Sequence, residues 1–508
     1  MLIKLGSAGA FKLRSAGAFK VGSAGAFIAA LVSLPWWLPG RIVALRVRVF
    51  ARINGDAAIT VPGDLVGVEQ FKELYSHPAA GGRSKGAALS DLFWYWLSPG
   101  ADVHQEHLEA GERYDAVAKA TRTFLALRRS EADDLTRRCV ASEVRAGQGF
   151  VRLRDLMMPV WAAFYYELVF GRPCPPAARD LIVGNANDVV TALKCCGLRH
   201  MDRRRRLTAY LSERLDEVRC PLPEGLSAKE QAFYLQGTFF NTAVVQMSEA
   251  MAHLLMVFAQ HPELQDKVRA DNDDHYLDQV IAETLRLYPL FGIAHRITTD
   301  DIELSGAGGR AGIRIPEGSV VCFDYPRIHR EGFTDPDRFD PDRWSERTSG
   351  RDVNHIPFGV AANRPCPAWR MAPITMRVAA REIFRRYVLT TSASHTRSLP
   401  NRGPALLIPR DSRAPAAGHR PALLRTRLLF MRLPRTRPPR MRLLFMRLLF
   451  MRLRDRWEDV WRSLVQLVLG TAMVLHARRL RLCERHFSGI SGAETPHAPT
   501  CPGSSKQR

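Results

Sequence analysis

The spacing of apolar residues predicts a mostly helical chain. Between Ala116 and Glu230, leucine and alanine recur at helical intervals with arginines between them, and few stretches alternate as a strand does. The longest apolar pattern runs from Leu235 to His261 and ends at a His-Pro pair, which stops a helix. A second helix, basic on one side, is predicted from Ala368 to Tyr387.

Strand patterns are short and flank this helical region. Apolar runs at residues 59–61 and 65–68 predict strands, and a short helix starting at Phe71 follows them. Residues 301–304 and 313–323 are again strand-like, with a Pro-Glu-Gly turn inside the second segment. The sequence therefore predicts a mainly α-helical fold with small β-sheets.

Both ends of the chain are repetitive. The pentapeptide SAGAF occurs three times between residues 7 and 27, and LLFMR occurs three times between residues 428 and 452. We therefore expect residues 1–40 to be a low-complexity, apolar extension, residues 41–410 to be a folded domain, and residues 411–508 to be a basic tail.

The tail has two interpretations. We expect an extension without a folded partner, and the alternative is a basic amphipathic helix that lies on an anionic membrane. The apolar runs at residues 26–38 and 464–475 are shorter than the roughly 20 residues that a spanning helix needs.

Charge and cysteine content predict which partners and which cellular location to expect. The net charge is +22, but residues 411–508 contain 20 Lys and Arg against 6 Asp and Glu, so the tail alone accounts for +14. A specific nucleic-acid site in the folded domain is therefore not expected. The nine cysteines form no CxxC pair, which predicts a reducing, cytoplasmic location with peripheral membrane association as the alternative.

One cysteine stands in an unusual sequence context. Cys366 lies between Pro365 and Pro367, two residues after Arg364 and just before the predicted basic helix. The prolines stiffen the backbone, while the arginine and the helix N-terminus favour the thiolate over the thiol. Cys366 is therefore a candidate metal ligand, and a buried structural cysteine is the alternative.

Three charged residues upstream have complementary spacing. Glu283 and Arg286 lie three positions apart, so they share one face of a helix and can pair. Arg343 offers a second guanidinium to the same carboxylate. We expect an Arg/Glu/Arg cluster that fixes a helix against a loop.

Together these motifs resemble those of the cytochrome P450 family. Phe358-Gly359 followed by Arg364-x-Cys366 resembles its haem-binding loop. Glu283 and Arg286 resemble its ExxR helix, and the segment Phe339 to Trp344 resembles its PERF segment. The resemblance covers roughly residues 40 to 410 and implies a cytochrome P450-like fold that binds heme b (iron protoporphyrin IX).

The resemblance also implies roles for individual residues. Cys366 would be the axial ligand of the iron, and Phe358 and Arg364 would belong to the haem loop. Arg296 would reach a haem propionate, with His295 as a second candidate. The candidates for another propionate contact are His104, His107 and Arg113. Of these we select His107.

The chain departs from the family's pattern in two places. Counting back from the His-Pro pair, the positions of the central helix that normally hold an acid and a threonine fall on Val245 and Gln246. One helical turn earlier, Asn241 and Thr242 would occupy them instead, so Gln246 and Thr242 are the candidate catalytic residues. The haem loop has one extra residue, and alanines replace its glycines, which a local bulge would accommodate.

The reaction that the resemblance implies is the insertion of one oxygen atom from O2 into a small hydrophobic organic substrate. Electrons would come from a ferredoxin or flavodoxin-type donor, which basic residues of the helix after Cys366 would steer, namely Arg370, Arg377, Arg381 and Arg385. Aromatic residues 91–97 would line the substrate chamber, and the turn that begins at His395 would lie near it.

Two other functions remain open at this stage. The first is a P450-like haem protein without ordinary oxygen activation, such as an isomerase, a coupling enzyme, a peroxygenase or a haem binder. The second is a membrane- or polyanion-binding protein that acts through its basic tail.

Overall fold

The computed structural model describes most of the chain between residues 33 and 481. The described residues are 33–49, 52, 58–82, 103–105, 107–144, 149–193, 200–271, 273–290, 292–309, 311–345, 354–360, 362–393, 395, 403–410 and 439–481. The SAGAF repeats, the aromatic segment 91–97 and most of the turn after His395 lie outside these ranges.

Helices dominate the described part of the chain, which confirms the predicted fold class. They are α1 (33–49), α2 (Phe71–Ser76), α3 (Glu112–Leu125), α4 (Arg129–Glu143), α5 (Leu153–Phe170), α6 (Pro176–Leu193), α7 (Met201–Ser212), α8 (Ala228–Leu235), α9 (Val244–Gln260), α10 (Pro262–Ala270), α11 (His275–Leu287), α12 (Tyr325–Ile328), α13 (Met371–Arg386) and α14 (Pro439–Arg479). Short 3₁₀ helices occupy Pro78–Gly81, Leu215–Glu217 and Pro341–Trp344.

Within the ranges that the structure describes, eight strands form three small sheets. The strands are β1 (Ala58–Val61), β2 (Phe150–Arg152), β3 (Ile293–Ile297), β4 (Ile302–Leu304), β5 (Ile313–Ile315), β6 (Val320–Asp324), β7 (Tyr387–Thr390) and β8 (Pro404–Pro409). Strand β6 pairs in parallel with β1 and antiparallel with β3, while β8 lies between β2 and β7. Strands β4 and β5 form a separate antiparallel pair.

The predicted strand at residues 65–68 is wrong. The Gly63 N–H donates to the Val66 carbonyl at 2.8 Å and closes a tight turn, and the Val66 side chain is fully buried. An apolar residue can be buried by a turn as well as by a strand, so a run of four residues did not distinguish the two.

The longest core helix is continuous from Ala228 to Gln260, so it ends where the apolar pattern from Leu235 to His261 predicts but begins seven residues earlier. Ser227 and Glu230 form a capping box at its start, and Pro262 prevents it from continuing past His261. Between α8 and α9 the residues Gln236–Ala243 form a π-helix. Helix α9 packs along α5, whose buried aromatic side chains include Trp161 and Tyr165.

The basic tail contains a folded helix, so the expectation that it lacks a folded partner is wrong for residues 439–479. Leu448 and Met451 of α14 are buried against Leu406 of β8. Glu458 of the same helix pairs with Arg152 of β2. The tail packs because its apolar residues recur at helical spacing, which gives α14 an apolar inner face.

In the described part of the chain, two helices are long and apolar enough to cross a membrane. In Ala228–Gln260, 83% of the apolar window is buried inside the protein, as in the core helix of a soluble domain. In Met446–Arg479 only 33% is buried. The apolar run at residues 464–475 therefore belongs to a much longer helix.

Candidate functional site

The buried Glu283 carboxylate is the centre of the Arg/Glu/Arg cluster. Arg286 donates to it through Nε and Nη2, each at 2.8 Å, and Arg343 donates through Nε at 3.1 Å. Both Glu283 and Arg286 have no exposed side-chain surface. The predicted cluster is confirmed.

Arg286 also ties the segment before Arg343 to α11. Its Nη1 donates to the carbonyl oxygens of His329 and Pro336, and its Nη2 donates to that of Arg338. A guanidinium can satisfy several acceptors in fixed directions, so one side chain holds this loop against the helix.

Two further donors to Glu283 were missed at the sequence level. The Trp344 indole N–H donates to Oε2 at 3.0 Å, and the Asp340 backbone N–H donates to Oε1 at 3.0 Å. The position of Trp344 next to Arg343 was visible, but the 3₁₀ helix that turns both toward the carboxylate was not.

Hydrogen bonds within its own loop hold Cys366. Its N–H donates to the Phe358 carbonyl at 2.9 Å, and its carbonyl accepts from the Trp369 N–H at 3.2 Å. Val360 and Asn363 of the same loop form an antiparallel bridge. The thiol is half-buried, is not in a disulfide, and lies one turn before α13 instead of at its first residue.

Tyr75 of α2 joins this loop to β3. Its carbonyl accepts from the Asn363 side-chain amide at 2.9 Å, and its ring lies 4.2 Å from the Arg296 guanidinium carbon. A Cβ at Gly359, where φ is +76°, would come within 3.3 Å of the Tyr75 hydroxyl. The glycine is therefore required both by its backbone angle and by the tyrosine. No sequence signal identified Tyr75.

The buried Arg296 guanidinium has an N–H group that could bind an anion. Its side chain is 4% exposed, and among the described residues Nη1 has no hydrogen-bond partner. A buried guanidinium N–H without an acceptor is costly, so a carboxylate at this point would be stabilised strongly. This feature fits a haem propionate.

His295 is placed differently from Arg296. Adjacent residues of a strand point to opposite faces, and only Arg296 contacts Tyr75. Burial lowers the pKa of His295, so the ring is neutral at pH 7 and is a poor partner for a carboxylate.

Arg364 connects the Cys366 loop to the segment that precedes α3. Its Nη1 donates to the carbonyls of Leu108 and Gln105, and its guanidinium lies over the Tyr114 ring at 4.8 Å. His104 and His107 belong to this segment, with ring centroids 6.2 Å apart. Arg364 therefore holds the segment that contains both candidate histidines next to the Cys366 loop.

Arg113 is engaged elsewhere. Its guanidinium donates to Glu230 at the start of α8, and 45% of its side chain is exposed. This surface ion pair occupies the arginine, so the structure gives it no role beside Cys366.

The two candidate catalytic residues lie on one strip of the central helix. Among residues 244–259, all of which are described, Gln246 alone is not buried. Thr242 and Thr238 are also half-buried and precede it at intervals of four. The strip of Thr238, Thr242 and Gln246 therefore combines both registers considered for the sequence, and Thr238 is an addition.

The π-helix in this region has buried polar supports. Asn185 of α6 donates to the Asn241 side chain, and Thr208 of α7 donates to Gln236 at 2.5 Å. Asn241 is therefore engaged by a neighbouring helix, while Thr242 stays half-buried. A π-turn supported in this way is frequent at functional sites.

One acid of the central helix is a structural residue. Glu249 follows Gln246 by three positions, and its carboxylate accepts from Arg154 at 3.1 Å with both side chains 2% exposed. The sequence interpretation overlooked this acid, although a lone glutamate in an apolar helix was visible. Its engagement by Arg154 distinguishes it from a solvent-accessible proton donor.

Electrostatics place Cys366 near the main core. The pKa of Tyr165 in α5 is raised, mainly by burial and further by the charge of Cys366. The phenol therefore stays protonated, and the sulfur lies within electrostatic range of the buried aromatic residues of α5.

The predicted basic face of α13 is only partly available. Arg377 pairs with Asp278 at 2.8 Å, and Arg381 pairs with Asp274, so both arginines bind α13 to the start of α11. Arg385 is 70% exposed although it pairs with Glu382, and Arg370 lies over the exposed Trp369 ring.

The half-buried His395 ring packs against two other ring side chains. Its ring stacks on Tyr288 with centroids 3.4 Å apart, and its Nε2 lies 2.7 Å from His253 Nδ1. Burial, together with the nearby His253, lowers the pKa of His395 well below 6.5.

Comparison with known proteins gives a consistent result. The family model described as Cytochrome P450 matches residues 202–413. Cytochrome P450 3A13 of Mus musculus is 30% identical over 162 residues, which are 28% of this chain and 31% of that protein. Putative cytochrome P450 135B1 of Mycobacterium bovis is 36% identical over 140 residues, 26% of this chain and 28% of that protein. The chain thus spans about a third of the length of these curated relatives.

Solved structures match over a longer range at lower identity. Retinoic acid bound cyanobacterial CYP120A1 superimposes with a TM-score of 0.53 and 17% identity, covering 66% of this chain and 87% of that one. Cytochrome P450EX alpha with myristic acid gives 0.54 and 16%, covering 68% and 88%. These similarities establish the fold. The chain therefore has a cytochrome P450-like fold, and its residues 202–413 match the family model of the cytochrome P450s.

Proposed function

We propose that this protein is a haem-thiolate monooxygenase that inserts one oxygen atom from O2 into an apolar organic substrate. The observation that carries the proposal is the Cys366 loop, in which hydrogen bonds hold a half-buried thiol and which Tyr75 joins to the buried Arg296. The similarity to the cytochrome P450 family suggests the reaction class, and the residues below give its local basis.

The residues around Cys366 are suited to hold heme b. Cys366 would bind the iron through its thiolate, Arg296 would bind a propionate, and Phe358, Arg364 and His107 would form the rest of the cradle. Haem bound through a thiolate supplies oxygen activation, because electron donation from the sulfur favours O–O cleavage.

Arg364 contributes mainly by positioning. Its bonds to the carbonyls of Leu108 and Gln105 keep the segment with His107 beside the loop that carries Cys366. The Phe358 carbonyl accepts from the Cys366 N–H, and its ring packs against the main core. The sulfur is therefore presented in one orientation.

Gln246 and Thr242 would handle protons and water on the other side of the site. The Gln246 amide can donate and accept but cannot titrate, whereas the Thr242 hydroxyl can pass a proton between ordered waters. Since Val245 supplies no acid next to Gln246, the proton would have to come from water or from the substrate.

That departure favours a second candidate function. A P450-like enzyme driven by peroxide takes its oxygen and reducing equivalents from the same molecule, so it needs no proton relay to bound O2. The replacement of the acid and the threonine by Val245 and Gln246 is the observation that supports it.

Partners and location follow from the same proposal. The electron donor would be a ferredoxin or flavodoxin-type protein that docks near Arg370 and Arg385, the more accessible basic residues of this face. We expect the catalytic part of the protein in the cytoplasm, because the cysteines provide no disulfide framework.

Spectroscopy tests the cofactor and its ligand. The reduced protein with CO should show the red-shifted Soret band of thiolate-bound haem, and Cys366→Ala should abolish it. Cys220→Ala is the matched control, since Cys220 is also half-buried and is not in a disulfide. An unchanged band in Cys366→Ala, or a protein that binds no haem, would refute the proposal.

Turnover distinguishes the two candidate reactions. Substrate oxidation with NADPH, ferredoxin and ferredoxin reductase supports the O2-dependent monooxygenase. Oxidation with hydrogen peroxide alone supports the second candidate. In the O2-dependent reaction Gln246→Ala should lower the rate about fivefold, because one neutral hydrogen bond would be lost, while leaving the CO spectrum intact.

A further inference from the structure

An apolar stripe runs along the outer face of α14. Eight large apolar side chains of this helix are more than a third exposed, namely Met446, Phe450, Leu453, Trp457, Trp461, Leu464, Val468 and Leu475. They succeed one another at intervals of three, four or seven residues, so they share one side of the helix. The stripe is about 43 Å long at 1.5 Å per residue.

The stripe is straight. From Met446 to Leu475 it advances 29 residues in eight turns, close to the 3.6 residues per turn of a straight helix. It therefore stays on one side of the helix and can contact a flat surface along its whole length.

The charges of α14 are sorted between its two faces. Among residues 446–481, every exposed charged side chain is an arginine, and Arg447, Arg478 and Arg479 lie near the two ends of the stripe. The acids point inward, where Asp455 is 5% exposed and Glu458 pairs with Arg152 and Arg462. The outer face is thus apolar and cationic.

Helix α1 extends the same kind of surface. Trp36, Trp37, Leu45 and Val47 are each more than 40% exposed. Arg46 of α1 donates to Gln466 of α14, so the two helices are in contact. Tryptophan beside arginine is typical of segments that lie at the boundary between lipid headgroups and acyl chains.

We propose that the outer faces of α1 and α14 dock onto the surface of an anionic lipid bilayer, with α14 parallel to the membrane plane. The site around Cys366 would remain in the aqueous phase. This inference is independent of the proposed reaction, because it requires neither haem nor activity.

The test is co-sedimentation of the full-length protein, as purified and without added haem, with vesicles of phosphatidylcholine alone or mixed with phosphatidylserine. We expect binding to the mixed vesicles and at least tenfold weaker binding to the neutral ones. Trp457→Ser combined with Trp461→Ser should weaken binding at least tenfold, because both rings would leave the lipid. Arg447→Gln and Arg479→Gln should each weaken it about fivefold, and only with the anionic vesicles.

Trp369→Ser is the matched control, since Trp369 is 49% exposed but lies before α13, and it should bind vesicles as the parent protein does. Circular dichroism verifies that each variant is folded. Three results would overturn the proposal. They are equal binding to both vesicle types, membrane association that resists alkaline carbonate as a spanning helix does, and a dimer in vesicle-free solution that the tryptophan variant converts to monomer.

Discussion

The Glu283 carboxylate accepts five hydrogen bonds, as many as the Arg286 guanidinium donates. Five N–H donors converge on its two oxygens, from Arg286, Arg343, Trp344 and Asp340. Because the carboxylate is fully buried, its charge is stabilised by these donors instead of by water.

Replacing Glu283 with Gln should destabilise the protein by about 3–5 kcal/mol, because the buried Arg286 would keep its charge and lose its counter-ion. The measurement is the free energy of unfolding in urea. Glu213→Gln, in an ion pair whose carboxylate is 69% exposed, should change it by less than about 0.5 kcal/mol. A small effect of both variants would show that the cluster is not structurally important.

Arg296 gives a prediction about the cofactor at the same scale. Arg296→Met should speed haem transfer to apomyoglobin about 10- to 100-fold, because one charged hydrogen bond to a propionate would be lost. Arg314→Met, with a side chain that is 67% exposed, is the control and should leave the rate unchanged. Equal rates for all three proteins would mean that Arg296 binds another anion.

At the scale of elements, α13 has two roles that the sequence did not separate. Arg377 and Arg381 attach it to Asp274 and Asp278 at the start of α11. Arg385 remains mostly exposed, and Arg370 is exposed beside Trp369. The helix is thus both a clamp within the fold and a basic surface beside the Cys366 loop.

The two roles should be separable by mutation. Arg370→Glu and Arg385→Glu should each lower the association rate of an acidic ferredoxin several-fold at low salt, and the difference should shrink as salt is raised. Arg377→Gln should instead lower the unfolding free energy by about 1 kcal/mol, because its side chain is only 11% exposed and bridges two helices. Stopped-flow reduction and urea titration measure the two effects. A large rate change in Arg377→Gln would contradict this division.

At the scale of the whole molecule, buried histidines couple stability to pH. Burial lowers the pKa of His329 to about 4, and the pKa values of His355 and His395 are also well below 6.5. The unfolded chain binds these protons near pH 6.5, whereas the folded protein does not. Stability is therefore lost as the pH falls from about 6.5 toward 4.

Because of His329 alone, the free energy of unfolding should be about 2 kcal/mol lower at pH 5 than at pH 7. His329→Gln should remove this part of the pH dependence, and the comparison with the parent protein cancels groups of opposite sign such as Asp455, whose pKa burial raises to about 7. Urea unfolding at both pH values measures the difference. An identical pH dependence in the variant would contradict the assignment.

The site was predictable to the extent that its residues are close in the sequence or have distinctive chemistry. Glu283 and Arg286 share a helical turn, and Cys366 is marked by its prolines, so both groups could be identified. Tyr75, Trp344 and Thr238 could not, because ordinary side chains acquire a role only from their neighbours. The packing of α14 was missed because a repetitive composition hides a regular apolar face.

The sequence by itself determined the helical class, the small sheets and the charged cluster, because periodicity and short-range spacing are local properties of a chain. Tertiary structure alone decided that Arg296 and not His295 lies beside Tyr75. It also decided that Arg377 and Arg381 form ion pairs within the fold, and that the outer face of α14 is exposed. These outcomes depend on which surfaces meet when distant segments pack, and burial and charge pairing at such contacts are not encoded at any single position.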